Sequence, residues 1–209
     1  DGILGDFGVS SHQFNVAERG FSTRFEAELD MRMNKKSPFS AFDVINKYSE
    51  EKLKLVFYNY GELRAAAGIA RVIVENRQQR PIVSSEQLKN SLGRFLPKHR
   101  ESKILAQIYQ AIRIEVNQEI AALKDFLSQT VDVLNSGGRL SLISYHSLED
   151  RLVKRFIRNG LFEGEPEKDV FGRVDIPFKK IGKFIIPTHD EIQRNNRARS
   201  AKLRIAEKL

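Results

Sequence analysis

The stretch DGILGDFGVSS, Asp1 to Ser11, decides how the rest of the chain is read. An apolar pair, Ile3 and Leu4, leads into Asp6, and Gly8, Ser10 and Ser11 then loosen the backbone into a loop. This is the pattern of the C-terminal end of a buried α/β strand. In open α/β sheets that end is where ligands bind; a carboxylate there accepts hydrogen bonds from a ligand amine, and Gly8 lets backbone come close. A buried central strand needs neighbours on both sides to pair its backbone, so it makes an unusual start for a chain.

Working outward, the next signal of this kind is NSGGRLSLISYHSLEDR, Asn135 to Arg151. Asn135 to Gly138 stop a helix, Leu140 to Ser144 alternate as a short strand, and Ser147 with Asp150 forms a capping-box pattern for a helix running to about Asn159. Ser144, Tyr145 and His146 then lie in a polar loop between strand and helix, a second edge beside the first. On that helix Arg151, Lys154, Arg155 and Arg158 share one face, which reads as a solvated surface or a phosphate-tracking one.

Between the two edges, HQFNVAERGFSTRFEAELDMRMNKKSP reads as a long ordered loop, since a free linker rarely carries as much apolar surface as Phe14, Phe21, Leu29, Met31 and Met33. From Ser40 to about Arg100 the pattern is helical. Ser40, Ser49 and Ser84 serve as caps, Ala66, Ile69, Ala70 and Ile73 form an apolar stripe, and Pro81 is a break. These features predict a small all-helical subdomain. Arg94, Lys98, His99, Arg100 and Lys103 gather at a basic bend. Ile104 to Leu134 is helical again with a break or kink at Asn117, and two helices packing on a sheet are expected there. Gly160 to Lys180 reads as a surface loop, Phe184 to Ile186 as a short strand, Thr188 with Glu191 as a capped helix, and the alternating chain end as a strand.

Composition bounds the chemistry. The chain has 209 residues, 41% of them hydrophobic, and a formal charge of +8, which favours a polyanionic partner. There is no Cys, so disulfides are excluded, and a cytoplasmic location is expected. No apolar stretch approaches the roughly 18 residues of a membrane helix, and no membrane partner is expected. The histidines at 12, 99, 146 and 189 lack the tight spacings of metal sites, so no metal is expected. Neither a Walker loop nor a Gly-x-Gly-x-x-Gly fingerprint is present. Ser144, His146 and Asp150 lack the nucleophile elbow a hydrolase triad would need. What remains is a binding cleft without a nucleophile, suited to a reaction in which a cofactor supplies the electrophile.

The blocks DGILGDFGVSSHQ, AERGFS, LDMRM, QAIRIEVNQE, GGRLSLISYHSLEDRLVKRF and RARSAKLR, in this order, closely resemble the ribosomal RNA small-subunit methyltransferase H family. The resemblance implies an α/β class I methyltransferase (Rossmann-like) sheet with an inserted all-helical subdomain. Residues 1–14 and 103–209 would form the methyltransferase domain, and 15–102 the inserted loop and helices. It implies S-adenosyl-L-methionine as cofactor, contacted by Asp6 and Gln13, and the N4 amine of a small-subunit rRNA cytidine as substrate. Asp6 is then also the tentative acceptor near the amine. Ser144, His146, Ser147, Arg199 and Lys202 are the candidates for contacting the cytidine or its phosphates. Free rRNA or an assembling ribosomal subunit would be the partner. Family members carry a further N-terminal portion with a Gly-rich cofactor loop, so this sequence reads as a partial sheet in which the Asp1–Asp6 strand has an exposed edge, open to pairing in a homodimer. An RNA-binding or scaffold module without activity is the alternative; methylation of a protein or small molecule fits the charge less well.

Overall fold

The computed structural model describes residues 1–172 and 174–209. The chain opens on β1 (Gly2–Asp6), followed by α1 (Ser11–Asn15), α2 (Ala41–Lys47), α3 (Glu50–Asn59), α4 (Ala66–Gln79), α5 (Ser85–Ser91), α6 (Glu101–Asn117) and α7 (Glu119–Val133). Then come β2 (Arg139–Ser144), α8 (Ser147–Asn159), β3 (Phe178–Ile185), α9 (His189–Arg194) and β4 (Lys202–Lys208). Two compact units result, one of residues Asp1–Gly8 with Ile120–Leu209, the other of Val9–Glu119.

The first unit holds a four-stranded sheet in the order β1-β2-β4-β3. β1 and β2 are parallel, with Asp6 opposite Ile143, so their C-terminal ends lie side by side. β2–β4 and β4–β3 are antiparallel. Ile3 and Gly5 share a sheet face with Leu140 and Leu142, because residues opposed in register point the same way. That face is buried under Leu123 and Leu127 of α7 and Val153 and Phe156 of α8. β1 is an edge strand with β2 as its neighbour, and Leu4 on the other face is 70% exposed. Within this chain the Asp1–Asp6 strand pairs on one side, with the exposed edge expected of a partial sheet.

The second unit is helical. Ser40 and Asp43 form a reciprocal cap on α2, with the Ser40 amide donating to Asp43 Oδ2 at 2.8 Å. Ser49 Oγ accepts from the Lys52 amide, and Ser84 Oγ from that of Gln87, which starts α3 and α5. The α4 stripe of Ala66, Ile69, Ala70 and Ile73 shares one core with Ile108 and Ile112 of α6. Here the structure corrects the expectation of two helices on the sheet. α6 gives its apolar face to the helical core, and α7 alone of the pair joins the sheet core.

The long loop is ordered, but it contains α1 and a 3₁₀ turn at Ala17–Arg19. Gly20 ends that turn at φ 70°, where a Cβ would sit 2.6 Å from the Glu28 carbonyl oxygen, so the AERGFS block needs glycine there. The LDMRM block is a structural clamp. Met31 is fully buried at φ 55°, a conformation rare for a large side chain. Asp30 grips Arg32 through Nε at 2.8 Å and Nη2 at 3.0 Å. Asn117 accepts from the Met33 amide at 2.6 Å and donates to the Met31 carbonyl at 2.8 Å, while Gln118 turns left-handed and breaks the α6–α7 run. In the sheet unit β3 begins at Phe178, ahead of the strand expected from Phe184.

Candidate active site

Asp6 closes β1 with its side chain exposed, and the chain turns away through Gly8 at φ 86°. A Cβ on Gly8 would be strained by that conformation, so the loop can leave the strand end only where a side chain is absent. Tyr145 follows β2 and donates its hydroxyl to the Asp6 carboxylate. Burial first, then that hydrogen bond and the nearby carboxylates of Asp6, Glu149 and Glu191, push the phenol up to about 12. Tyr145 therefore stays a neutral donor throughout the neutral range, and Asp6 retains lone pairs for a ligand.

The loop after β2 is fixed by a cap that differs from the one the sequence pattern predicts. His146, not Ser147, is the N-cap of α8: its Nδ1 accepts from the Glu149 amide at 3.4 Å. Glu149, 3% exposed, returns its Oε2 to the Tyr145 amide at 2.9 Å and the His146 amide at 3.4 Å. With Nδ1 accepting, Nε2 carries the proton of the neutral ring. That Nε2 is buried without a hydrogen-bond partner among the described residues; Glu149 Oε1, 3.2 Å away, does not meet its geometry. Sequence reasoning misses Glu149 because His is outside the usual N-cap set, so the Ser147–Asp150 spacing fits the pattern better.

Asp150 faces β4 instead. Its Oδ1 accepts from Arg204 Nε at 2.7 Å and its Oδ2 from Lys202 Nζ at 3.0 Å. Burial raises the Asp150 carboxyl, but the hydrogen bonds and charges of Arg204 and Lys202 outweigh it and hold the group below its ordinary value. Of the expected substrate residues, Ser144 is buried at the end of β2, His146 is half-buried in the cap, and Ser147 is exposed on the first turn of α8. Lys202 is engaged by Asp150, and Arg199 is exposed in the 3₁₀ turn before β4. Gln13 belongs to the helical unit, where it completes a reciprocal cap. Its Oε1 accepts from the Ser10 amide at 2.8 Å and its own amide donates to Ser10 Oγ at 3.3 Å. The Gln13 carbonyl being occupied, its side-chain NH₂ is what it can offer a ligand.

A parallel strand pair with a carboxylate and a glycine turn at its C-terminal end, continued by antiparallel strands, fits the class I methyltransferase sheet of the family that this chain matches. The chain belongs to the MraW methylase family, whose model matches residues 1–209. It is 67% identical over 208 residues to ribosomal RNA small subunit methyltransferase H of Flavobacterium psychrophilum, covering 100% of this chain and 72% of that protein. The protein of the same name from Christiangramia forsetii is 66% identical over 209 residues, and that of Flavobacterium johnsoniae 63% over 209; each match covers 100% of this chain and 69% of the relative. Among the described residues, no helix is long and apolar enough to cross a membrane.

Proposed function

We propose that this chain is the larger part of an S-adenosylmethionine-dependent methyltransferase that acts on the N4 amine of a cytidine in small-subunit ribosomal RNA. The observation that carries the reading is the exposed Asp6 carboxylate at the paired ends of β1 and β2, in a chain similar along its whole length to proteins named for rRNA methylation. An exposed carboxylate beside a turn with no Cβ suits a cofactor that carries an amine and must approach backbone closely. Bound there, S-adenosylmethionine supplies an electrophilic methyl group.

In this reading Asp6 and the Gln13 NH₂ hold the cofactor, and the Tyr145 hydroxyl keeps the Asp6 carboxylate oriented. The cytidine amine lone pair, delocalised into its ring, must be freed as the new C–N bond forms and one N–H proton leaves. Asp6 is the acceptor we assign to that N–H. The His146 ring is placed to pack against the unstacked base, and Ser144 and Ser147 line the same strand end. Arg199 supplies positive charge for phosphates, and Lys202 does so while shared with Asp150. Asp1–Gly8 with Ile120–Leu209 would form the methyltransferase sheet unit and Val9–Glu119 the inserted loop and helices, acting in the cytoplasm on free rRNA or on an assembling subunit. A homodimer is part of the same proposal.

The test is methyl transfer from labelled S-adenosylmethionine to free small-subunit rRNA and to assembled subunits, with nucleoside mass analysis of the product. N4-methylated cytidine is expected from the unmodified protein and is strongly reduced by Asp6→Ala. Normal methylation together with normal calorimetric cofactor binding in Asp6→Ala would remove the assignment. RNA binding with neither cofactor affinity nor transfer would favour the module reading instead.

A further inference from the structure

The sheet unit has a second concave surface, between the C-terminal half of α8 and β3. It encloses about 320 Å³. Six of its lining residues are cations: Lys154 and Arg158 from α8, Lys179, Lys180 and Lys183 from β3, and Arg204 from β4. No acidic residue lines it among those described. Arg204 is neutralised by Asp150; Lys154, Arg158, Lys179, Lys180 and Lys183 have exposed side chains. The floor is apolar, with Ile157, Phe178, Ile181 and Ile205. Phe184 stands at its side, 46% exposed, with the Arg204 guanidinium 5.2 Å from its ring centroid.

We propose that this groove binds a single-stranded stretch of RNA, with a base stacked on Phe184 and flanking phosphates on Lys180 and Lys183. The proposal rests on the rRNA reading given above and adds a binding surface that adjoins the cytidine site at Lys202, whose Nζ lies 5.7 Å from the Phe184 ring centroid. Three features of the groove argue for that ligand. An aromatic ring with open surface beside a cationic rim is the combination that holds unpaired bases and their backbone together. The rim is uniformly positive, so an anionic polymer gains at every step along it. Lysines on an edge strand also deter strand pairing, but Lys154 and Arg158 lie on a helix that has no edge to protect, and they face the same groove. A duplex would present phosphates without a base face for Phe184, so single strands are preferred.

The experiment compares the full chain with Lys180→Ala/Lys183→Ala and with Phe184→Ala, measuring fluorescence anisotropy of a short single-stranded RNA across a salt series. The double-lysine variant should lower the salt slope by about 0.7 for each phosphate that is no longer neutralised. Phe184→Ala should weaken single-strand binding about tenfold and leave duplex binding unaffected. In the methylation assay the KM for RNA should rise in both. Because Lys180 and Lys183 are exposed, the lysine variant keeps the question answerable even if Phe184→Ala misfolds. Unchanged affinity and salt slope in the lysine variant, with the unmodified protein binding and methylating RNA, would overturn the groove and leave the rRNA reading intact. An unmodified protein that binds no RNA would overturn both. Polyglutamate that displaces the RNA at equal charge concentration would show an indiscriminate anion surface and also overturn the proposal.

Discussion

At the scale of single residues, Asp6 and Tyr145 interact at the ends of β1 and β2. A hydrogen bond to a charged partner is worth about 1.5–3 kcal/mol, so Asp6→Ala should weaken calorimetric S-adenosylmethionine binding at least tenfold. Tyr145→Phe should change it less than about threefold, because a carboxylate has roughly four acceptor sites and gives up one donor. The phenol has its own signature. Its folded value, about 12, exceeds the ordinary value of 10.0, so folding favours the protonated form. The stability it contributes is complete below pH 10 and disappears as pH rises through about 12. An alkaline unfolding series should show that loss in the unmodified protein and a smaller one in Tyr145→Phe; identical curves would refute the coupling.

At the scale of elements, α8 is held at one end by two carboxylates with different tasks. Glu149 satisfies loop amides at the ligand end, and Glu149→Ala should cost about 2–3 kcal/mol in chemical unfolding, since a cap disappears and buried donors are left unpaired together. Asp150 ties α8 to β4, and Asp150→Ala should cost about 2 kcal/mol at neutral pH, less than a fully buried pair because Lys202 is 38% exposed. The Asp150 carboxyl is held below 3.8, so its contribution is present above that pH and is lost on acidification through the lower folded value. The two proteins should therefore converge in stability once pH has fallen below that lower folded value, and a gap that persisted in the most acidic range would assign the cost to packing. What the sequence discloses about these elements follows local physics. Ser40, Ser49, Ser84 and Thr188 are legible as caps because their hydroxyls bond to groups three residues on. The strand ends are legible because glycine and polar residues follow apolar pairs. His146 is not, as its ring reaches the same amide by a geometry the pattern does not encode. Ser10–Gln13 carries the same capping signature, yet it sits inside a stretch too polar and too aperiodic to read as a helix.

At the scale of the whole molecule, the pattern of α6 establishes an apolar face but not its partner. Sequence adjacency suggests the sheet, whereas Leu105, Ile108, Tyr109 and Ile112 complete the helical core. Such long-range pairings are invisible to a window that sees one helix, and so is the Asn117 clamp on the Met31–Met33 backbone, more than 80 positions away in sequence. The difference yields a sharp test of where the inserted unit ends. Residues 9–119 are continuous in sequence and contain the entire helical core, so this segment expressed alone should unfold cooperatively, with coincident transitions by far-ultraviolet circular dichroism and Tyr fluorescence. A segment of residues 15–102 lacks nearly all of α6 and with it one wall of that core. Stability of a domain this size is only about 5–15 kcal/mol, while removing even one buried leucine or isoleucine side chain costs about 2–5 kcal/mol. The shorter segment should therefore lack a cooperative transition. A cooperative fold in 15–102, or none in 9–119, would place the boundary of the helical unit before α6 after all.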